Sequence, residues 1–391
     1  MFTGILLAIY MLQGFLYPSG SIISQSILLL ILIIGSLCLL KSVMDRNIPT
    51  PIAVFAFFIL MLSITYLVSP KIQYGWKYEA IGAVSTFGQF KNAISFSLLF
   101  FIGYYSGMKQ QMSSKIMCAV FYILLIVTVI MFFDQKNKLI IELGREGVTN
   151  NTAYRIVALI PFLPIAMNYI KKRYLCIGVI ILMAILIIIG SKRGAILSMV
   201  ICGAFSVFYY LLHTKLNAKK IIGILFLLFV SIVLIVYAIE QNEYLMGRLE
   251  KSGIGTREIA YAILWDYWNH ESSNFSYFLG NGTSASIKVW GNYAHNDWLE
   301  LLTDNGLLGV TTYIFLFVVF FLLIRKSELS PWYRLSMYLC ILIWFLQSCF
   351  SMGYTNALNG TYTLLLGVLT AISLNKNQND ILEDEKDTVI D

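Results

Sequence analysis

The sequence predicts an all-α polytopic membrane protein of about twelve spanning helices, with one large helical loop on the extracytoplasmic side. Composition is the first observation behind this. Hydrophobic residues make up 58% of the 391 positions and charged residues only 13%, against roughly 25% charged in an ordinary soluble domain. A soluble chain this apolar has too few polar groups to cover its surface. The second observation is patterning: apolar residues come in blocks, such as 27–40, 174–190 and 221–239, and not in alternation. Blocks of about 17–25 residues match a hydrocarbon core of ~30 Å at ~1.5 Å per helical residue. The third is that substantial polarity is concentrated in a single long stretch, 240–304.

Taken in chain order, the blocks place spans near 2–17, 22–40, 51–68, 93–108, 116–133, 153–170, 174–190, 194–212, 221–239, 305–324, 335–351 and 361–375. The first lacks a basic n-region and a small-residue cleavage site, so it reads as a short span. The apolar run 174–212 is too long for one span and is cut by Ser191-Lys192-Arg193-Gly194, a tight turn between two helices. Pro161 and Pro164 predict a kink in the sixth span. The chain is thus organised as nine spans in 1–239, a loop in 240–304, three spans in 305–375, and an acidic tail in 376–391.

Lys and Arg orient the spans. Alternate short connections carry Lys41/Arg46, Lys109/Lys115, Lys171/Lys172/Arg173, Lys215/Lys219/Lys220 and Arg325/Lys326/Arg334. The connections between them are uncharged, mixed in sign or long. The positive-inside rule puts both termini and the tail in the cytoplasm, and puts the 134–152 loop, the Lys192-Arg193 turn and the 240–304 loop outside. The net charge of +7 is therefore topological; scattered basic pairs and triplets do not build a nucleic-acid groove. All six cysteines lie in apolar blocks and read as buried hydrophobes, with no disulfide framework or CxxC spacing.

Within the long loop, 256–269 (TREIAYAILWDYWN) places Ile259, Ile263, Leu264, Tyr267 and Trp268 at helical spacing, with Thr256 able to cap its start. This predicts an amphipathic helix lying on the membrane surface or on the bundle. Residues 278–282 (FLGNG) mark a turn, with Gly280 and Gly282 as turn formers. Residues 293–300 (YAHNDWLE) then run directly into the apolar stretch 301–324, so His295 and Asn296 fall where that helix begins. A helix N-terminus presents free N–H groups and a positive dipole end, which suit an anion.

The segments AHNDWLELLTDNGLLGV (294–310), GSKRGAIL (190–197), GTREI (255–259) with FLGNG, and GREGVTNNTAYRIVALIPFLP (144–164), with Asn151 at its polar start, resemble the O-antigen polymerase and O-antigen ligase superfamily. The resemblance covers roughly residues 140–312; the first four spans match only in hydropathy. One position departs: the family often has Trp three residues after the loop arginine, and here that position is Ala260. The resemblance implies a GT-C-like helical bundle in the bacterial cytoplasmic (inner) membrane and an inverting glycosyl transfer from an undecaprenyl-pyrophosphate donor. It also implies partners: lipid-linked glycans, membrane lipid, a chain-length regulator and a flippase.

Breaking a sugar–pyrophosphate bond releases an anionic lipid diphosphate, and fixed cations in a partly dehydrated site ease its departure. Arginine suits this because its planar fork pairs with two phosphate oxygens. Arg193 and Arg257 are the first candidates for pyrophosphate binding, followed by Lys192 and Arg155, with Asn296 at the helix start. His295 is the candidate proton acceptor, with an unperturbed pKa of about 6.5. Glu300 is the second, as base or as an orienting partner.

Each candidate has a plainer reading. Lys192 and Arg193 suit snorkelling from a helix end; Arg257 suits a solvated helix start. His295 suits a bond to a loop carbonyl, and Arg155 an ion pair with Glu142 or Glu146. His213 and His270 read as structural. The acids near His295 are expected on different helix faces. Asp297 and Asp304 are weighed as divalent-ion ligands beside a pyrophosphate, but no His, Asp or Glu pair has zinc-ligand spacing, so a transfer without metal or cofactor is expected. Three functions follow in order: a polysaccharide polymerase, its sister ligase acting on lipid A-core, and a flippase of lipid-linked sugars. The last is disfavoured because the span centres carry almost no ionisable residues.

Overall fold

The computed structural model describes residues 1–18, 20–44, 47–68, 86–109, 111–143, 149–170, 172–213, 256–356 and 360–375, together with positions 233 and 237. Apart from those two positions, the expected ninth span lies outside the described residues, as do 240–255, Glu146 and the acidic tail. The helices are α1 (Phe2–Met11), α2 (Ile22–Val43), α3 (Thr50–Val68), α4 (Thr86–Met108), α5 (Ser114–Leu143), α6 (Thr152–Val157), α7 (Leu163–Tyr169), α8 (Arg173–Ile189), α9 (Arg193–His213), α10 (Thr256–Asp266), α11 (Asn274–Leu279), α12 (Ala285–Trp290), α13 (Asp297–Lys326), α14 (Pro331–Phe350) and α15 (Thr361–Leu374). No strand occurs among the described residues; Gln13 and Tyr17 form an isolated bridge.

The chain is a helical membrane protein. Among the described residues, six helices are long and apolar enough to cross a bilayer: α2, α3, α5, α9, α13 and α14. Phe2–Met11, Tyr174–Ile189 and Thr361–Leu374 are apolar but shorter. Exposed side chains agree with this. Leu29, Ile33, Leu37 and Leu40 form an exposed apolar stripe on α2 that suits hydrocarbon and not water.

The helices form two compact units. The first comprises Met1–Ser19, Ser114–Gly253 and Ser330–Leu339; the second comprises Gly20–Ser113, Ile254–Leu329 and Cys340–Asp391.

In the first unit, α1 packs on α5, with Gly4 close against Val120. The block 2–17 was expected to be one helix, but helix stops after ten residues, about 15 Å at ~1.5 Å per residue. Gly14 adopts φ +85°, its N–H bonds to Tyr17 O (2.6 Å), and the Tyr17 hydroxyl donates back to Ile9 O (2.6 Å), so the chain reverses. The expected sixth span is broken as Pro161 and Pro164 suggest: α6 and α7 are joined by a 3-10 turn, Ile160–Phe162. Proline removes an N–H and clashes with the preceding turn, which ends α6 early. The Phe162 ring stacks 5.9 Å from Phe121 of α5 and anchors the break.

In the second unit, α4 and α15 are the most closely joined pair. Gly103 and Gly107 stand one turn apart on α4, and a Cβ at Gly103 would fall on the carbonyl oxygen of Leu364. Gly367 of α15 meets the Phe100 carbonyl in the same way. Small residues allow such backbone approach, and lipid-embedded helices associate through it. Around this pair lies an aromatic core: Phe55 is 4.6 Å from Phe100 and 5.6 Å from Trp344, and Phe58 stacks 5.5 Å from Tyr313.

Contrary to the expectation of one continuous helix from 297, α13 is two helices merged across a kink at Gly306, where φ is +63° and ψ −161°. The break frees carbonyls at the end of the first piece, and the 280–282 turn satisfies them. Asn281 N donates to Thr303 O and Gly282 N to Asp304 O, both at 3.0 Å. Gly280 itself, at φ +85°, has backbone where a side chain would stand. The turn expected at 278–282 is therefore the clasp of the kink.

Candidate functional site

The amphipathic helix expected in the long loop is α10, and it is apolar on two sides. Ala260 and Leu264 are buried, and so is Trp268 in the π-helical turn Tyr267–Glu271 that follows. Ile259, Ile263 and Trp265 are exposed. Ala260, where the resembled family often has Trp, is thus a packing position. Arg257 is exposed at the start of α10 and donates from Nη1 to Phe350 O (3.1 Å), a carbonyl at the C-terminal end of α14. A cation there also meets the negative end of the helix dipole.

One turn along from Arg257 is Tyr261, which the sequence reading missed. Its half-buried phenol lies near the Asn296 side chain and within electrostatic reach of Arg257 and Glu300. Burial raises its pKa above the ordinary phenol value, while the Arg257 charge and the nearby Asn296 amide pull it down. Tyr261 therefore joins four expected site residues of the second unit: Arg257, His295, Asn296 and Glu300. Its i+4 spacing from Arg257 was the available signal.

Asn296 caps α13: its Oδ1 accepts from Trp298 N (3.1 Å) and Leu299 N (3.2 Å). This is what an N-cap asparagine does for the first free amides of a helix. His295, just before it, is half-buried and adopts φ +56°, a left-handed conformation uncommon outside glycine. Glu300 holds it there. Its Oε1 accepts from Ala294 N (2.8 Å) and His295 N (3.1 Å).

The acids were expected on different faces, and the structure corrects this. At about 100° per residue, positions 297, 300 and 304 fall within an arc of about 60°, and all three side chains are buried. Each is directed to a separate piece of backbone. Asp297 Oδ2 accepts from Gly353 N (3.0 Å), Tyr354 N (3.2 Å) and the Tyr313 hydroxyl (3.2 Å). Asp304 accepts from Ser286 N (2.7 Å) and Ser284 N (2.8 Å). One short helical piece thus fixes three loops by hydrogen bonds from backbone amides to its buried carboxyl groups. The Tyr354 phenol, in the loop after α14, is pushed up by burial and by its proximity to all three acids. Among the described residues, no group of three or more His, Cys, Asp or Glu is arranged to hold a metal ion.

The other expected cations belong to the first unit. Lys192 is half-buried and Arg193 exposed, at the turn between α8 and α9. Ser191 beside them has φ +50°, a second non-glycine left-handed residue. Strained backbone concentrates at functional sites, and among the described residues two of the three such positions adjoin the segments singled out in the sequence. The turn is tied down by Asn150, also missed: its N–H donates to Gly190 O (2.9 Å) and its Nδ2 to Phe132 O (2.8 Å). Asn151, the polar residue noted at that position, is exposed and makes no side-chain cap bond. Arg155 is half-buried on α6, near enough to Tyr10 to interact electrostatically. Its weighed partners are not described, since the Glu142 side chain and Glu146 lie outside the described residues. His270 pairs with Asp266 (2.9 Å) on an exposed turn, and His213 stacks on Tyr209. No protein-family model matches the chain, and no curated protein matches it in sequence.

Proposed function

We propose that this chain is a membrane glycosyltransferase, a polysaccharide polymerase that moves a glycan from a polyprenyl-pyrophosphate donor onto a lipid-linked repeat unit. The observation that carries the reading is the cluster of Arg257, Tyr261, His295 and Asn296 over a helix start whose preceding loop is fixed by Glu300. In this reading an acceptor hydroxyl oxygen bonds to the anomeric carbon as the bond from that carbon to the pyrophosphate oxygen breaks. His295 takes the hydroxyl proton, and the lipid pyrophosphate leaves with the bonding electron pair, its charge held by Arg257. Asn296 supplies a further polar contact to the donor, and Arg193, Lys192 and Arg155 of the first unit are separate candidates for anion binding. Glu300 positions His295 instead of exchanging protons itself.

The same proposal includes twelve spans in the bacterial cytoplasmic membrane, cytoplasmic termini, and the 240–304 loop on the outer face, as the Lys and Arg distribution supports. Single Ala substitutions of Arg193, Arg257 and His295, with surface glycan length read on a gel, test the assignment. At normal protein levels each is expected to reduce the ladder to single repeat units. Unchanged ladders in all three overturn the site, and loss of all surface attachment favours ligation over polymerisation.

A further inference from the structure

We infer that the groove between α3 and the loop helices of the second unit binds an anionic membrane phospholipid, with Lys288 on its phosphodiester head group. The groove has a volume of about 650 Å³. One wall is the outer side of α3, where Phe57, Leu60, Ile64 and Val68 are all exposed on a helix long and apolar enough to span a bilayer. The opposite wall comes from α11 and α12, where Phe275 and Leu279 are exposed. The groove is therefore continuous with surface that suits hydrocarbon, and a ligand reaches it sideways from the bilayer. Exposed aromatic residues, Trp265, Phe275 and Phe278, lie in the same segment of the loop, as expected of residues at head-group level.

Charge selects among lipids. Among the described residues, Lys288 is the only charged residue lining the groove, and it is exposed. Among the described residues no carboxylate pairs with it. Neighbouring polar groups are already engaged: Asn281 Nδ2 donates to Ser272 Oγ and Thr303 O, and Thr65 Oγ1 accepts from Asn305 Nδ2. The groove thus offers one positive charge above an apolar slot. A phosphodiester head with one negative charge matches it. A polyprenyl diphosphate carries more charge than a single lysine balances, and a zwitterionic head brings a competing cation of its own. The assignment does not rest on the transferase reading.

The test uses the purified full chain in detergent, with phosphatidylglycerol bearing a photoactivatable acyl chain and labelled peptides read by mass spectrometry. Labelling is expected on the peptides containing Leu60–Ile64 and 275–289, displaced by unlabelled phosphatidylglycerol and not by phosphatidylcholine. Lys288→Gln is expected to weaken phosphatidylglycerol about fivefold, the equivalent of the ~1 kcal/mol that one lysine contributes at an anionic bilayer surface. Ile64→Trp, which fills the slot, is expected to reduce labelling by either lipid. Both positions are exposed, and thermal unfolding checks that each variant retains the parent's stability. Equal displacement by the two phospholipids, or unchanged affinity in Lys288→Gln, overturns the proposal. So does preferential displacement by undecaprenyl pyrophosphate at equal concentration.

Discussion

Replacing Glu300 by Ala removes the acceptor that holds Ala294 N–H at 2.8 Å and His295 N–H at 3.1 Å. A buried amide N–H left without its acceptor costs about 1–3 kcal/mol, so stranding the pair costs about 3 kcal/mol. Part of this is offset, because the substitution also removes a buried carboxyl whose second oxygen has no partner among the described residues. A net local loss of about 2 kcal/mol corresponds to about thirtyfold in the opening equilibrium of the 293–296 segment. Hydrogen–deuterium exchange of the detergent-solubilised chain reads this on the peptide covering those residues. Glu300→Gln keeps a carbonyl oxygen where Oε1 stands and is expected to change exchange by no more than about threefold, since one neutral acceptor still serves both amides. Transfer activity should follow the same order, with the Gln variant active and the Ala variant impaired. Unchanged exchange in Glu300→Ala refutes the positioning role. Loss of activity in Glu300→Gln equal to that in Glu300→Ala, with the loop still protected, points to Glu300 as the base.

Gly103→Ala should loosen the α4–α15 contact, because its Cβ would meet the Leu364 carbonyl. Overpacking of this kind costs about 1–3 kcal/mol, visible as a lower melting temperature in detergent. Gly178→Ala on α8, where nothing lies within 4 Å, is the control and should be neutral or stabilising by up to about 1 kcal/mol. Tyr313→Phe removes the hub that bonds Asp297 Oδ2 (3.2 Å), Ser348 Oγ (2.6 Å) and Trp344 Nε1 (2.6 Å). Stranding those buried groups should cost about 2 kcal/mol, read as an earlier unfolding midpoint by tryptophan fluorescence. Transfer by the purified chain should persist in excess chelator; activity that is lost and then restored by a divalent ion contradicts a metal-independent reaction.

Much of the architecture is legible because a bilayer imposes so simple a rule. Apolar blocks of spanning length became helices at α2, α3, α5, α9, α13 and α14, and Pro161 with Pro164 marked the break between α6 and α7. Local hydropathy fails where a backbone event interrupts a uniformly apolar block. Residues 2–17 read as one span, yet Gly14 and Tyr17 turn the chain after Met11. The kink at Gly306 was also hidden, since one glycine is tolerated in many helices and its partner, the 280–282 turn, is distant in sequence. At the site, the Asn296 cap was visible as a polar residue before an apolar run. The shared direction of Asp297, Glu300 and Asp304 was present in their i, i+3, i+7 spacing and was misread. Their individual targets, backbone amides of 284–286, 294–295 and 353–354, depend on tertiary packing that no local pattern encodes. Lys288 gave no signal as a lone lysine, and it acquires meaning only beside the exposed side of α3.

The most direct measurement is glycosyl transfer by the purified full chain in detergent, supplied only with a polyprenyl-pyrophosphate-linked repeat unit as donor and acceptor. The account predicts lipid-linked products of two or more repeats and free polyprenyl pyrophosphate, with Arg257→Ala and His295→Ala at background. Absence of product from a folded, lipid-supplemented parent chain, or full activity in both variants, contradicts it.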